Sequence, residues 1–276
     1  MLAFLPQQVR RGFVWQGING LFPLWVLLPA GFLLHDYLKD SLPVLVAGMA
    51  AMITTTVKTP VRNVNRFAIA AAILFVLTWL VPVNTLLYFA IGFLLFYWAE
   101  TLGFRMQVLG VMALFLCSPA FQYAAGAFSF PIRMHLASVV GAIFSRFASQ
   151  VQINGNTILY EGHEFAVDPA CMGLHMLSLS LLLGIFLLGM MQKKTGKRVS
   201  TWMSFLFLCA LFLLNLVANV LRILLLVQFA IPPKAVMHDI IGLLCLLLYV
   251  CVPACALAQK VVLKANPVRS QNTVTK

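Results

Sequence analysis

Long apolar stretches, separated by short polar or basic segments, fill most of the 276 residues of this chain. A transmembrane helix needs roughly 17 to 25 mostly apolar residues, and the chain divides into eight stretches of about this kind. We place them at Phe13–Leu34, Leu42–Val57, Phe67–Val83, Thr85–Ala99, Gln107–Phe128, Met172–Met191, Thr201–Phe229 and Ile240–Leu257. The pattern predicts an all-α, multi-pass integral membrane helical bundle with about eight transmembrane helices.

The composition excludes a water-soluble globular protein. Hydrophobic residues make up 62% of the chain and charged residues 9%, whereas a soluble domain carries about 25% charged residues. The first apolar stretch continues from the N-terminal segment without a small-residue cleavage site, so we expect no cleavable signal peptide.

The net charge of +12 predicts an orientation in the membrane. In a soluble chain it would suggest nucleic acid, but in short loops of membrane proteins Lys and Arg mark the cytoplasmic side. The segment Gln192–Ser200 carries four basic residues. With this segment inside, fourteen of the 19 basic residues lie inside and all the acids except Glu100 lie outside. We therefore expect a cytoplasmic-membrane protein with both termini in the cytoplasm, in contact with lipid and binding no nucleic acid.

One long segment outside the predicted spans separates the fifth stretch from the sixth. Its apolar residues recur at helical spacing, typical of an amphipathic helix on a membrane interface; they are Ile132, Leu136, Val139, Val140, Ile143 and Phe147. The Asn154-Gly155 pair within Val151–Ile158 predicts a β-hairpin. We expect a single integral domain made of N-terminal spans (1–128), a small extracytoplasmic helix and hairpin cap (129–171), catalytic spans (172–258) and a basic cytoplasmic tail (259–276).

Five of the six cysteines fall within apolar spans, where a free Cys behaves as a small hydrophobic residue. The exception is Cys171, which lies where the cap meets the sixth span among polar residues. The chain has no C-x-x-C pair, so it carries no zinc or redox signature. His163-Glu164 begins a zinc-protease H-E-x-x-H motif, but Val167 stands at its second His position. We predict neither a metal nor a cofactor.

Polar groups from two further spans are predicted to reach the same membrane boundary as Cys171. Asn215, Asn219 and Arg222 share one face of the seventh span, and such groups within a span generally face the bundle interior. The alternative for Arg222 is a side chain that snorkels to the head groups.

His238 begins the last span from the same side. A thiol, a cation and an imidazole at one depth suit nucleophilic catalysis, since a cation lowers a thiol pKa and binds an oxyanion while imidazole transfers protons. His175, one turn below Cys171, is an alternative base or an orienting group, and Asp168 is a further candidate partner.

At these residues the chain resembles the exosortase and archaeosortase family of membrane transpeptidases. A Cys-Ser-Gly-type motif is matched by Ala170-Cys171-Met172-Gly173, an Asn-x-x-Arg motif by Asn219–Arg222, and a His-x-x-x-Gly motif by His238 and Gly242. The resemblance is strongest over Phe130–Leu257. Met172 replaces the usual Ser, which suggests a divergent subtype such as the one called exosortase N.

The resemblance implies an enzyme that processes exported proteins anchored by a C-terminal signal, made of a short Pro-Glu-Pro-like motif, a transmembrane helix and a basic tail. It implies that Cys171 attacks the scissile carbonyl, that Arg222 stabilises thiolate or oxyanion and that His238 protonates the departing amine. An acceptor nucleophile then releases the product by transfer.

Two other function classes and a scaffold compete with this interpretation. A transporter would use Asn215, Asn219 and Arg222 to line a path through the full membrane thickness. A membrane acyl or glycosyl transferase would use an outer His with Glu161, Glu164 or Asp168. A non-catalytic scaffold would leave Cys171, Arg222 and His238 unexplained as a set.

Overall fold

The structure is a computed structural model that describes residues 25–26, 28–58, 65–147, 151–160, 162–167, 174–232 and 235–267. Most of these residues are helical. Of the first predicted span, Phe13–Leu34, only the last part falls within this range, and residues 28–33 are helical there. The chain forms two compact units, one with residues 1–42 and 56–107 and the other with residues 43–55 and 108–276.

The first unit is built on two apolar helices joined by a short turn. Its elements are α1 (His35–Leu38), a 3-10 turn (Lys39–Ser41), β1 (Thr56–Lys58), α3 (Asn65–Leu80), α4 (Asn84–Thr101) and β2 (Phe104–Met106). Phe67 of α3 packs against Phe93 and Phe96 of α4, with ring centroids 5.7 and 5.4 Å apart. β1 and β2 pair antiparallel.

A buried ion pair holds this unit together beside the strand pair. Glu100 is 1% exposed, and both of its carboxylate oxygens accept hydrogen bonds from the Arg66 guanidinium. The guanidinium also donates to the Met106 carbonyl at 2.8 Å. A carboxylate this deeply buried requires a partner of this kind, and Arg66 supplies it from the start of the neighbouring helix.

The second unit carries the remaining helices and a small sheet. Its helices are α2 (Leu42–Thr54), α5 (Val108–Leu116), α6 (Pro119–Ala127), α7 (Ser129–Phe144), α8 (Leu174–Thr195), α9 (Thr201–Gln228), α10 (Val236–Leu246), a π-helical turn (Leu247–Cys251) and α11 (Val252–Leu263). Its strands are β3 (Val151–Asn154), β4 (Thr157–Tyr160), β5 (His163–Ala166), β6 (Lys197–Arg198) and β7 (Asn266–Pro267).

Helix α8 forms the centre of this unit. Leu182, Ile185 and Leu188 are fully buried in a core shared with α2, α5, α9 and α11. Lys193 in its last turn and Lys197 just after it satisfy carbonyl groups that have no partner at the ends of two neighbouring helices. Lys193 donates to the Ile53 carbonyl at the end of α2, and Lys197 to the Leu263 carbonyl at the end of α11, at 2.7 and 2.6 Å.

The three strands β3, β4 and β5 form an antiparallel sheet in that order. The predicted hairpin is present: Asn154 pairs with Thr157, and Gly155 opens the two-residue turn with φ of +63°, as in a type II′ turn. One face of the sheet is apolar and packs on α7 and α9 through Ile158 and Val167. The third strand, β5, adds to the predicted hairpin.

Helix α7 confirms the predicted helix in this segment, and its buried face contains part of the predicted apolar face. Leu136, Val140 and Phe144 are buried together with the small residues Ala137 and Gly141. Val139 and Phe147, both predicted on the apolar face, are 47% and 87% exposed. Gly141 allows this side of α7 to lie close to the sheet, because a β-carbon there would lie 2.2 Å from Ile153 Cδ1.

The structure confirms part of the predicted number of spans. Within the described part of the chain, three segments are long and apolar enough to cross a membrane, namely Met176–Thr195, Thr201–Gln228 and Val236–Leu263. The bent pair α5 and α6 would make a fourth. Helix α2, with 13 residues, is about 20 Å long, shorter than a hydrocarbon core of about 30 Å. The protein is a helical membrane protein, and eight spans are not confirmed.

Two predicted spans differ from single straight helices. Gln107–Phe128 is broken between α5 and α6 with a 65° bend, because Ser118 caps α6 and Pro119 occupies its first turn. Ile240–Leu257 begins earlier, at Val236, and continues through the π-helical turn to Leu263. Pro253 in the first turn of α11 cannot donate a backbone hydrogen bond, which accounts for the irregular turn before it.

Candidate active site

The candidate site is built around Arg222, which is only 7% exposed although it lies within an apolar helix. Its guanidinium lies directly against the backbone of α10. A β-carbon at Gly242 would be 2.8 Å from Arg222 Cζ and 3.0 Å from Nε and Nη2, well inside normal contact distance. Glycine at position 242 therefore provides the space that the guanidinium occupies, and Arg222 does not snorkel away from the bundle.

Arg222 opens onto a cavity of about 630 Å³ in the second unit. Asn215, Asn219 and Gly242 line the same cavity, so the spacing that predicted one polar helix face is matched by a shared space. Most of the remaining wall is apolar, and it includes Phe115, Phe121, Phe128, Ile132, Leu177, Phe212 and Leu216. The Nε of Arg222 is buried and has no hydrogen-bond partner among the described residues. Arg222 and a few other polar side chains, among them His135 of α7, thus face a largely hydrophobic chamber.

Two hydrogen bonds fix the side-chain amide of Asn215, whereas no hydrogen bond to another described residue fixes that of Asn219. Ser180 of α8 donates to Asn215 Oδ1 at 3.0 Å, and Asn215 Nδ2 donates to the Leu211 carbonyl at 2.9 Å. Ser180 is buried, so this bond links α8 to α9 inside the apolar core. Asn215 therefore connects helices, and Asn219 is the amide left to face the cavity. Ser180 could not be predicted from the sequence, because one Ser in an apolar helix carries no signal by itself.

His238 lies in the first turn of α10 and is 5% exposed. It shares a buried helix face with Gly242 and Cys245, which follow at four and seven residues. His238 lines a second cavity of about 180 Å³, whose other walls come from β5, the end of α9 and the connection between α9 and α10. Gly242, against which Arg222 lies, is one helical turn after His238. Arg222 and His238 therefore lie at consecutive levels, that is, at successive turns of α10, along the interface between α9 and α10.

The connection that brings His238 back onto α9 is a tight helix-ending turn. Ala230 has φ of +47°, its N–H donates to the Val227 carbonyl, and the Ile231 N–H donates to the Leu226 carbonyl. This is the Schellman pattern, in which the residue after the helix adopts a left-handed conformation. Pro232 follows and prevents the helix from resuming.

The proposed nucleophile Cys171 lies outside the described residues, as do Asp168, Gly173 and the side chain of His175. The chain leading to Cys171 is fixed up to Val167, which is 2% exposed. Val167 donates its N–H to the Asn156 carbonyl at 2.8 Å and lines the same cavity as His238. The chain is described again from Leu174, at the start of α8.

Cys245 is a thiol that the sequence analysis treated as a simple apolar residue, yet it lines the Arg222 cavity. Its position seven residues after His238 on one helix face is a signal that could have identified it. Within the described ranges, no cluster of three or more His, Cys, Asp or Glu residues could hold a metal ion.

Comparison with known proteins supports one family. No curated protein and no solved structure shows significant similarity to the chain. A family model described as transmembrane exosortase matches residues 20–255, which include α9, α10 and the Cys171 region. A match over this much of the chain establishes that the protein belongs to the transmembrane exosortase family.

Proposed function

We propose that this protein is a membrane cysteine transpeptidase that cleaves the C-terminal sorting signals of exported, membrane-anchored proteins at the outer membrane–water interface. The observation that carries the proposal is the buried pair of Arg222 and His238 on consecutive levels of the α9–α10 interface. The strand that leads to Cys171 packs on the same interface through Val167. Cys171 is the fourth residue after Val167, a reach of at most about 14 Å.

In the proposed reaction the Cys171 thiolate attacks the scissile carbonyl and forms a tetrahedral oxyanion. Arg222 stabilises the thiolate before attack or the oxyanion after it, which is worth most in a site that excludes water. His238 donates a proton to the departing amine, and the C–N bond breaks to leave a thioester on Cys171. An acceptor nucleophile then attacks the thioester carbonyl and loses its proton to His238, and the C–S bond breaks to release the Cys171 thiolate.

The cavity supports a substrate that is apolar next to its cleavage site. Its aromatic and aliphatic walls suit the side chains at the end of a membrane anchor, and Arg222 lies at the same chamber. Binding energy from such apolar contacts serves to hold the scissile bond in place beside the catalytic groups.

The alternative functions receive less support. A transporter requires polar groups along its whole path, but the next cavity along α9, of about 450 Å³, is lined by apolar residues and Cys209 alone. An acyl or glycosyl transferase would depend on a carboxylate, and Glu164 lines the His238 cavity. Under the proposed mechanism Glu164→Gln retains activity, whereas the transferase predicts its loss.

The test uses a reporter protein that carries a Pro-Glu-Pro segment, an apolar helix of about 20 residues and an Arg-rich tail, expressed together with the full chain. We expect Cys171→Ala to abolish processing of the reporter while the variant remains in the membrane. Cys245→Ala is the matched control, because it removes the thiol that lines the Arg222 cavity and is expected to retain activity. The measurement is the size shift of the reporter on a gel. Full processing by Cys171→Ala would overturn the mechanism, and loss only in Cys245→Ala would assign the nucleophile to the other thiol.

A further inference from the structure

We infer that the free edge of strand β5 binds the extended segment of the substrate around the scissile bond, which adds to the sheet as a fourth strand. This inference rests on the proposed function, because it requires a polypeptide substrate at the His238 cavity. It assigns a role in substrate binding to Glu164 and Ala166, through their backbone groups.

The hydrogen-bond alternation of the sheet determines which groups of β5 point outward. In an antiparallel pair, every second residue exchanges hydrogen bonds with its partner, and the residues between direct their N–H and C=O to the opposite side. Val167 bonds to Asn156 next to β4, and Phe165 stands opposite Ile158 in the same register. The backbone groups of Glu164 and Ala166 therefore point away from β4.

That outer edge is unoccupied by other described parts of the chain. β5 is the last strand in the order β3-β4-β5, and Glu164 and Ala166 are both exposed. An unpaired row of alternating donors and acceptors is complementary to the backbone of another extended chain. Neither a lipid tail nor a folded helix offers that alternation.

The edge also lies where the chemistry requires the substrate. Glu164, Ala166 and the buried His238 line one cavity of about 180 Å³, together with Ile223 and Leu226 of α9. A strand that pairs with β5 would therefore run along the His238 wall. Its backbone carbonyls would be held at fixed positions beside the imidazole, which is the positional control that acyl transfer needs.

The experiment removes one of the two outward N–H donors of β5, that of Ala166. Proline is tolerated on an edge strand where its missing N–H faces outward, so Ala166→Pro deletes the outward donor. Ala166→Thr is the matched control, because it retains the N–H and favours a strand. With the reporter described above, we expect Ala166→Pro to slow processing about tenfold relative to Ala166→Thr, the effect of one backbone hydrogen bond.

A second variant keeps the test valid if the proline disturbs folding. Replacement of Ala166 by lactic acid exchanges the same N–H for an ester oxygen and leaves the side chain unchanged, and it should slow processing to a similar extent. Wild-type rates in this ester variant, with the protein folded, would overturn strand pairing and leave the proposed function intact. If Cys171→Ala, with Ala166 unchanged, processes the reporter as fast as the wild-type protein, the proposed function and the pairing are both overturned.

Discussion

At the scale of single residues, the contact between Arg222 and Gly242 links two motifs that are distant in sequence. The guanidinium occupies the volume that any side chain at position 242 would fill. It is also the flexible end of a long side chain, so a substitution at Gly242 would move the guanidinium more easily than the helices. Gly242 is therefore a positioning residue for Arg222.

Gly242→Ala is expected to reduce reporter processing by about 100-fold, since a displacement of about 1 Å at a catalytic group has effects of this size. The fold should survive, because Ala stabilises a helix interior by about 1 kcal/mol relative to Gly. Processing rate and thermal unfolding are measured on the same preparation. Leu243→Ala, at an exposed neighbouring position of α10, is the control. A wild-type rate in Gly242→Ala would show that the position of the guanidinium does not matter.

Arg222→Lys separates the charge of this residue from its geometry. Lysine retains the positive charge but lacks the planar fork of donors that lies along the Gly242 backbone. We expect reporter processing to fall at least tenfold, in kcat rather than in KM, because the oxyanion exists only after attack. Unchanged kcat in this variant would argue against contact between Arg222 and the oxyanion.

At the scale of elements, the turn after α9 is the connection that sets His238 against the α9 helix. Ala230 adopts a left-handed conformation there, with φ of +47°, which glycine adopts without steric cost. Ala230→Gly is expected to stabilise the protein by about 0.5–1 kcal/mol, measured by thermal unfolding in detergent. Since the backbone bonds to Leu226 and Val227 are retained, processing should not change. A lower unfolding temperature would contradict this account of the turn.

Helix positions could be predicted from the sequence because long apolar runs leave few alternatives. The runs at Thr201–Phe229 and Met172–Met191 correspond closely to α9 and α8. Breaks within a run were harder to predict: Ser118-Pro119 is a strong helix start, but the apolar residues on both sides conceal it. Strand β5 was not predicted as a separate strand. Its four residues show no hydrophobic alternation of their own, and the strand exists because they pair with β4.

The candidate site was predictable in part, for a different physical reason. Polar residues are rare in apolar helices, so Asn219, Arg222 and His238 could be selected by type and depth. The contact between Arg222 and Gly242 could not be predicted, because it depends on how α9 and α10 pack. The same holds for Ser180 and Asn215, which meet across two helices.

At the scale of the whole molecule, the distribution of charge in the second unit supports the proposed orientation. Lys193 and Lys194 lie in the last turn of α8, Lys197 lies in β6, and Lys260 lies in the last turn of α11. Arg222 is 21 residues after the start of α9 at Thr201, about 30 Å along the helix axis. The basic end of the unit and the candidate site are therefore separated by about the thickness of the hydrocarbon core. Basic residues favour the cytoplasmic side, so the candidate site should face outward.

Thiol labelling in intact cells tests this orientation. A membrane-impermeant maleimide added from outside should label Cys171 and spare Cys251 and Cys255, which lie toward the basic end of the last helix. Cys171→Ala should remove the label, and permeabilised cells provide the control for total reactive thiol. The labelled residue is identified by mass spectrometry of the purified chain. Labelling of Cys171 only after permeabilisation would invert the topology, and the sorting proposal would then fail as well, because exported substrates could not reach an active site on the cytoplasmic side.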